Sequence, residues 1–126
     1  MPERTIAQTF PEQPIDRLLK RSVVICSAEG DNEVLYVTDA FERHTGYTRA
    51  EVIGRNMRLL QGEGTEPEAA RMFGYLIRRG LSGKVMITNY RKDGSAFRHV
   101  CDLRPVRDAE GRVVKFVCLQ TPEPLD

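Results

Sequence analysis

Tryptophan is absent from this chain, histidine occurs twice and cysteine three times. The cysteines, Cys26, Cys101 and Cys118, are odd in number and lack Cys-x-x-Cys spacing. That excludes a complete disulfide framework and argues against a zinc site. Neither sign of charge prevails, since 19 Lys and Arg against 18 Asp and Glu leave a net charge of +1. A nucleic-acid footprint needs a basic excess gathered on one face, so no nucleic-acid partner is expected. No apolar run reaches the roughly 18 residues of a membrane span. Met1–Phe10 also lacks the apolar stretch of a signal peptide. What remains is 126 residues, 40% of them apolar, which is one domain's worth. A cytoplasmic, reducing compartment is expected, with three thiols to explain.

Residues 1–14 are polar and carry Pro11 and Pro14, which reads as a mobile arm. Ile15–Arg21 has Ile15, Leu18 and Leu19 at helical spacing, a cap helix too short to stand alone. Ser22–Cys26 and Val34–Val37 are β-branched runs around Gly30-Asp31-Asn32, an opening hairpin. Short helices follow: Ala40–Thr45 with Asp39 and Glu42 at its start, then Thr48-Arg-Ala-Glu51, which fits a capping box. Asn56–Gln61 adds a turn. A longer helix is expected after Thr65 and Glu68, a second capping box, with Pro67 in its first turn and Gly80 at its end. Lys84–Arg91, Ala96–Pro105 and Arg112–Gln120 then read as three strands joined by Gly-containing hairpin links. The pattern predicts an α+β domain over 22–121, a five-stranded antiparallel sheet with helices on one face. Residues 1–21 would be an arm with its cap helix, and 122–126 a tail.

The segment Gly54-Arg-Asn-Met-Arg-Leu-Leu-Gln-Gly62 resembles the flavin-binding signature of LOV domains, the blue-light-sensing branch of the PAS fold, usually written GRNCRFLQG. The likeness continues in Phe41–Tyr47, in Asn89–Gly94 and in Phe116–Gln120, and covers roughly Ser22 to Thr121. It implies a noncovalently held flavin, FMN or alternatively riboflavin or FAD. A flavin offers a polar pyrimidine edge, an apolar dimethylbenzene edge and, in its nucleotides, a phosphate. Amide side chains carry both a donor and an acceptor and suit the first. By resemblance, Asn56, Gln61, Asn89 and Gln120 are the polar contacts, with Gln120 near flavin N5, and Arg58 is the phosphate ligand. Leu60, Phe73, Ile77, Leu103 and Phe116 are the apolar lining.

Three departures bear on mechanism. Met57 stands where the family carries its photoactive cysteine, and a thioether has no S–H to give. The usual reversible adduct is therefore unavailable at residue 57. His99 replaces a second pyrimidine-edge Asn, with a ring whose charge is expected to respond to physiological pH. Gly74 replaces a helix position that commonly supplies a second phosphate Arg, and Arg71 or Arg78, one turn away, are the substitutes.

Residues at i and i+2 of a strand share a face. Cys118 thus shares one with Gln120, Cys101 with His99, and Cys26 with Val24; by resemblance all of these face the pocket. Cys118, Cys26 and Cys101 are accordingly candidates for a relocated photoactive thiol. Without an adduct the excited flavin is expected to fluoresce or be photoreduced. With Trp absent, Tyr36, Tyr47, Tyr75 and Tyr90 are the available phenolic electron donors. The expected function is a flavin-binding photosensory module, not an enzyme, acting through a homodimer or a downstream signalling domain. The alternative is a PAS-like protein-interaction module with weak or no flavin binding.

Overall fold

Unbroken burial along Ser22–Cys26 and Phe116–Gln120 means that both faces of the sheet are covered in the computed structural model, which describes residues 2–123. The strands are β1 (Ser22–Ser27), β2 (Val34–Val37), β3 (Gly83–Tyr90), β4 (Ala96–Arg107) and β5 (Val113–Glu123). They form one antiparallel sheet in the order β2-β1-β5-β4-β3. The opening hairpin and the closing meander are both as expected. β5 is central, so the chain leaving β2 at one edge must cross the sheet to begin β3 at the other.

That crossing is made by α3 (Asp39–Thr45), α4 (Arg49–Val52), a 3-10 turn at Met57–Leu60, and α5 (Pro67–Arg79). Their short lengths let the segment arch over the sheet instead of lying flat on it. Val24, Cys26, Cys101, Leu103, Phe116 and Cys118 face them from the sheet and share one core with Phe41, Val52, Leu60 and Leu76. The capping box at α4 forms: Thr48 N–H donates to Glu51 Oε1 at 2.8 Å, and Glu51 N–H donates to Thr48 Oγ1 at 3.3 Å. The second expected box does not. Thr65 Oγ1 instead donates to the Thr88 carbonyl at 2.7 Å, and the Glu66 carboxylate accepts from Thr88 N–H and Oγ1 at 2.8 and 2.7 Å. These bonds tie the entrance of α5 to β3. Asp39 likewise falls inside its helix, with Thr38 in the cap position. Gly80, at φ +65°, closes α5 in the left-handed conformation that favours glycine.

The amino-terminal segment departs from the expected mobile arm. Pro2–Thr9 is a helix, α1, and Ile15–Leu18 is a single turn, α2, shorter than expected. Ile6, Phe10 and Leu18 are wholly buried against Val23, Ile25, Val117 and Leu119 on the sheet's second face. Ile6 and Phe10 sit four apart, on one side of the helical path. Two well-spaced apolar side chains are enough to seat a segment whose average composition is polar. Arg104 completes the seat, stacking 4.1 Å above the Phe10 ring and donating to Glu12 Oε2 at 2.6 Å and to the Thr9 carbonyl at 3.0 Å. The sheet therefore carries helices on both faces. At the other end β5 includes Pro122 and Glu123, which shortens the expected tail. Residues 124–126 lie outside the described part.

Candidate functional site

Between the inner sheet face and the arching helices lies a cavity of about 320 Å³, within the range of small-molecule sites. The sequence-predicted residues Val24, Cys26, Asn56, Met57, Arg58, Leu60, Gln61, Phe73, Ile77, Asn89, Cys101, Leu103, Cys118 and Gln120 all line it. His99 and Phe116 do not. Phe116 pairs with Cys26 across β1–β5 and belongs to the core beneath. Asn32, Ala70, Gly74, Arg78 and Ile87 line the cavity as well. Ile87 was legible as the i−2 neighbour of Asn89, and Ala70 as one turn before Gly74. Asn32 was not, because it arrives through a left-handed backbone at φ +54°.

The floor of the cavity carries two buried amides. Gln120 Oε1 accepts from Ser22 Oγ at 3.0 Å. Asn89 Nδ2 lies 2.9 Å from His99 Nδ1. His99 is therefore behind Asn89 and not in the cavity wall: β4 register sets it opposite Ile87, two residues from the Asn89–Phe97 pair. Burial, helped by the positive charges of His44 and Arg91, holds the His99 imidazole at about 3. The ring stays neutral through the physiological range, against the expected pH response. Asn56 is engaged in local structure: its Oδ1 accepts from Arg58 N–H at 2.8 Å and its Nδ2 donates to the Asp31 carbonyl at 2.6 Å. These bonds shape the 3-10 turn that carries Met57 and Leu60 over the cavity.

All three thiols are buried in the wall. Burial pushes Cys26 up to about 11. Contact with the Cys101 thiol and then burial raise Cys118. Both therefore keep their S–H near neutral pH.

The mouth is basic. Arg58 donates to both Asp31 carboxylate oxygens, at 3.0 and 3.2 Å, with both side chains largely exposed. Arg78 has no ion pair among the described residues. Its guanidinium lies over Gly74, where a Cβ would stand 2.9 Å from Nη1. Helical side chains lean toward the N-terminus, so residue 78 covers the spot vacated at residue 74. Arg71 turns instead toward Glu68, 3.9 Å away.

Buried amides, an apolar wall and a cationic mouth form one site on a sheet crossed by short helices. The PAS domain family matches residues 20–121. The LOV domain of a blue-light activated histidine kinase from Erythrobacter litoralis superposes with a TM-score of 0.80 at 36% identity, covering 83% of this chain and 97% of that domain. This chain is a LOV domain of the PAS family. The LOV domain of the blue-light photoreceptor aureochrome 1 gives a TM-score of 0.78 at 30% identity, over 88% of this chain and 87% of that one. Among curated relatives, rice phototropin-1A is 36% identical over 78% of this LOV domain. Blue-light-activated histidine kinase 2 of Erythrobacter litoralis is 39% identical over 74% of it. The chain spans 11% of the phototropin and 27% of the kinase.

The residues present fit the flavin that LOV domains hold. Asn89, Gln120 and Gln61 suit a pyrimidine edge, and Leu60, Phe73, Ile77, Ile87 and Leu103 suit the fused rings. Arg58 and Arg78 suit a phosphate at the mouth.

Proposed function

We propose that this LOV domain holds a flavin noncovalently in the cavity and serves as a blue-light sensory module without bond formation at residue 57. One observation carries the reading: two buried amides, a largely apolar wall and two arginines line a single cavity. The flavin, when bound, supplies blue-light absorption and redox chemistry. Asn89, Gln120 and Gln61 orient its polar edge, and the apolar wall excludes water. Met57 fills the space above the site with an adaptable thioether that has no proton to donate. Fluorescence or photoreduction of the flavin is then the outcome of excitation.

FMN is the favoured flavin because Arg78 supplies a free guanidinium at the mouth. Riboflavin and FAD are the competitors. The role proposed is sensory, with the cavity given over to holding the flavin. Gln120 is linked through Ser22 to the start of β1, and Arg21 donates to Thr121 beside it. A change at Gln120 would thus reach the junction of α2, β1 and the end of β5. Output through a homodimer or a downstream domain is the proposed route from that junction, and the free thiols suit the cytoplasm.

A second reading, a PAS-like interaction module with weak flavin binding, is favoured by the commitment of Arg58 to Asp31. Purification followed by chromatographic identification of the released chromophore separates the two. A yellow protein releasing FMN is expected. A colourless one that takes up neither FMN nor riboflavin would favour the second reading.

A further inference from the structure

Each buried amide of the cavity floor is held from behind by a residue the cavity does not touch. At Asn89 the holder is His99. The distance of 2.9 Å joins Asn89 Nδ2 to His99 Nδ1, and an amide nitrogen offers only hydrogens. His99 Nδ1 is then the acceptor, and the proton of the neutral ring sits on Nε2. Nothing among the described residues accepts that Nε2 proton. The ring is not turned to satisfy it. Phe97 holds the imidazole edge-on, with ring centroids 4.5 Å apart and planes at 76°, and Arg91 stacks 4.4 Å from the Phe97 centroid. His99 is itself fully buried, so this arrangement leaves a polar N–H unsatisfied in order to keep Nδ1 on Asn89.

The consequence lies on the cavity side. With Nδ2 tied to His99, Oδ1 is the atom Asn89 has left for the cavity, and no described residue donates to it. Gln120 is the converse: Ser22 Oγ donates to its Oε1 at 3.0 Å, which leaves the NH₂ group for the cavity. The floor thus presents one acceptor and one donor of fixed identity. We propose that His99 is a positioning residue that locks the Asn89 amide with its carbonyl toward the cavity, so that the site selects a ligand edge bearing an N–H. This rests on the flavin reading, in which that group is the ring N3–H between two carbonyls, the neighbouring carbonyl matching the Gln120 NH₂. The departure at residue 99 therefore preserves hydrogen-bond polarity from outside the cavity.

Two measurements test it. In the flavin-free protein, ¹⁵N NMR of the His99 ring is expected to show the neutral Nε2–H tautomer from about pH 8 to about pH 5. Asn89 NH₂ protons are expected to be protected from exchange. An Nδ1–H tautomer, or titration of His99 within that range, would overturn the assignment whether or not flavin binds. The second uses riboflavin and 3-methylriboflavin as probes of the apo-protein. The wild type should prefer riboflavin about tenfold, one good hydrogen bond's worth. His99→Leu should shrink the preference to within about twofold, His99→Gln should restore part of it, and His99→Leu should change nothing further in an Asn89→Ala background. A preference that survives His99→Leu overturns the proposal. If neither probe binds, the flavin reading fails and the tautomer alone decides the role of His99.

Discussion

Arg78 lies across Gly74, its Nη1 2.9 Å from where a Cβ at residue 74 would be. The missing side chain is what admits the guanidinium of the next turn to the mouth of the cavity. On the proposed reading the cationic function absent at residue 74 is provided from residue 78, and FMN should depend on it while riboflavin does not. Arg78→Gln should weaken FMN about tenfold, roughly 1.4 kcal/mol, and leave riboflavin unchanged, as measured by quenching of flavin emission on titration into apo-protein. Gly74→Leu should produce the same selective loss by pushing the guanidinium away. Equal losses for both flavins would mean that Arg78 does not meet the phosphate.

Asp31 competes with any phosphate for Arg58. Because both partners are largely exposed, the pair is weak and screened by salt. Asp31→Asn should tighten FMN by about two- to fivefold at low ionic strength, consistent with an exposed pair, with the gain fading as salt is added. Riboflavin affinity should not move. The same titration at two salt concentrations checks this.

The buried thiols and His99 give opposite pH signatures. Cys26 is raised from 9.0 to about 11, so folding favours its neutral form. The associated stability is complete below about pH 9 and is lost as pH rises toward about 11, because the unfolded chain ionises first. His99 is lowered from 6.5 to about 3, and its neutral form is likewise favoured by folding. Its stability is complete above about pH 6.5 and is lost as pH falls toward about 3. Urea denaturation across pH should show Cys26→Ala flattening the alkaline limb and His99→Gln flattening the acid limb. Parallel curves for wild type and variant would contradict the assigned burial.

The second core predicts a structural role for the amino-terminal helix. Phe10 is wholly buried under Arg104 and against the outer sheet face. Phe10→Ala should cost about 3 kcal/mol, the usual scale for a buried aromatic. It should also expose Val23, Ile25, Val117 and Leu119 and promote self-association, read by light scattering. A loss under about 1 kcal/mol, far below that scale, with unchanged size, would mean the helix is dispensable.

Much of this was legible in the sequence, for identifiable reasons. β-branched runs, the hairpin links and the Thr48–Glu51 box are local signals, and each produced the element it implied. Alternation grouped Cys118 with Gln120 and Cys101 with His99, and the family resemblance turned those groups and Cys26 toward the inner face, where the structure has all three thiols. Alternation reports a face but not a depth, however. His99 shares the face of Cys101 yet stands behind Asn89, because depth depends on how far β4 runs past the cavity. The Arg58–Asp31 pair joins residues 27 apart, which no local pattern reports. The first helix was missed because average polarity hid two apolar residues at the right spacing.

The most direct test compares absorption and emission of the wild type and Met57→Cys before and after blue light. The wild type is expected to bind flavin, to stay fluorescent or be photoreduced, and to show no bleaching that reverses in the dark without oxidant. Met57→Cys is expected to gain such reversible bleaching, because residue 57 lines the cavity in which the flavin is proposed to sit. Reversible bleaching in the wild type that persists in Met57→Ala and vanishes on one Cys→Ser change would assign the chemistry to a relocated thiol and contradict a sensory cycle without bond formation. A Met57→Cys protein that binds flavin yet responds like the wild type would contradict the site itself.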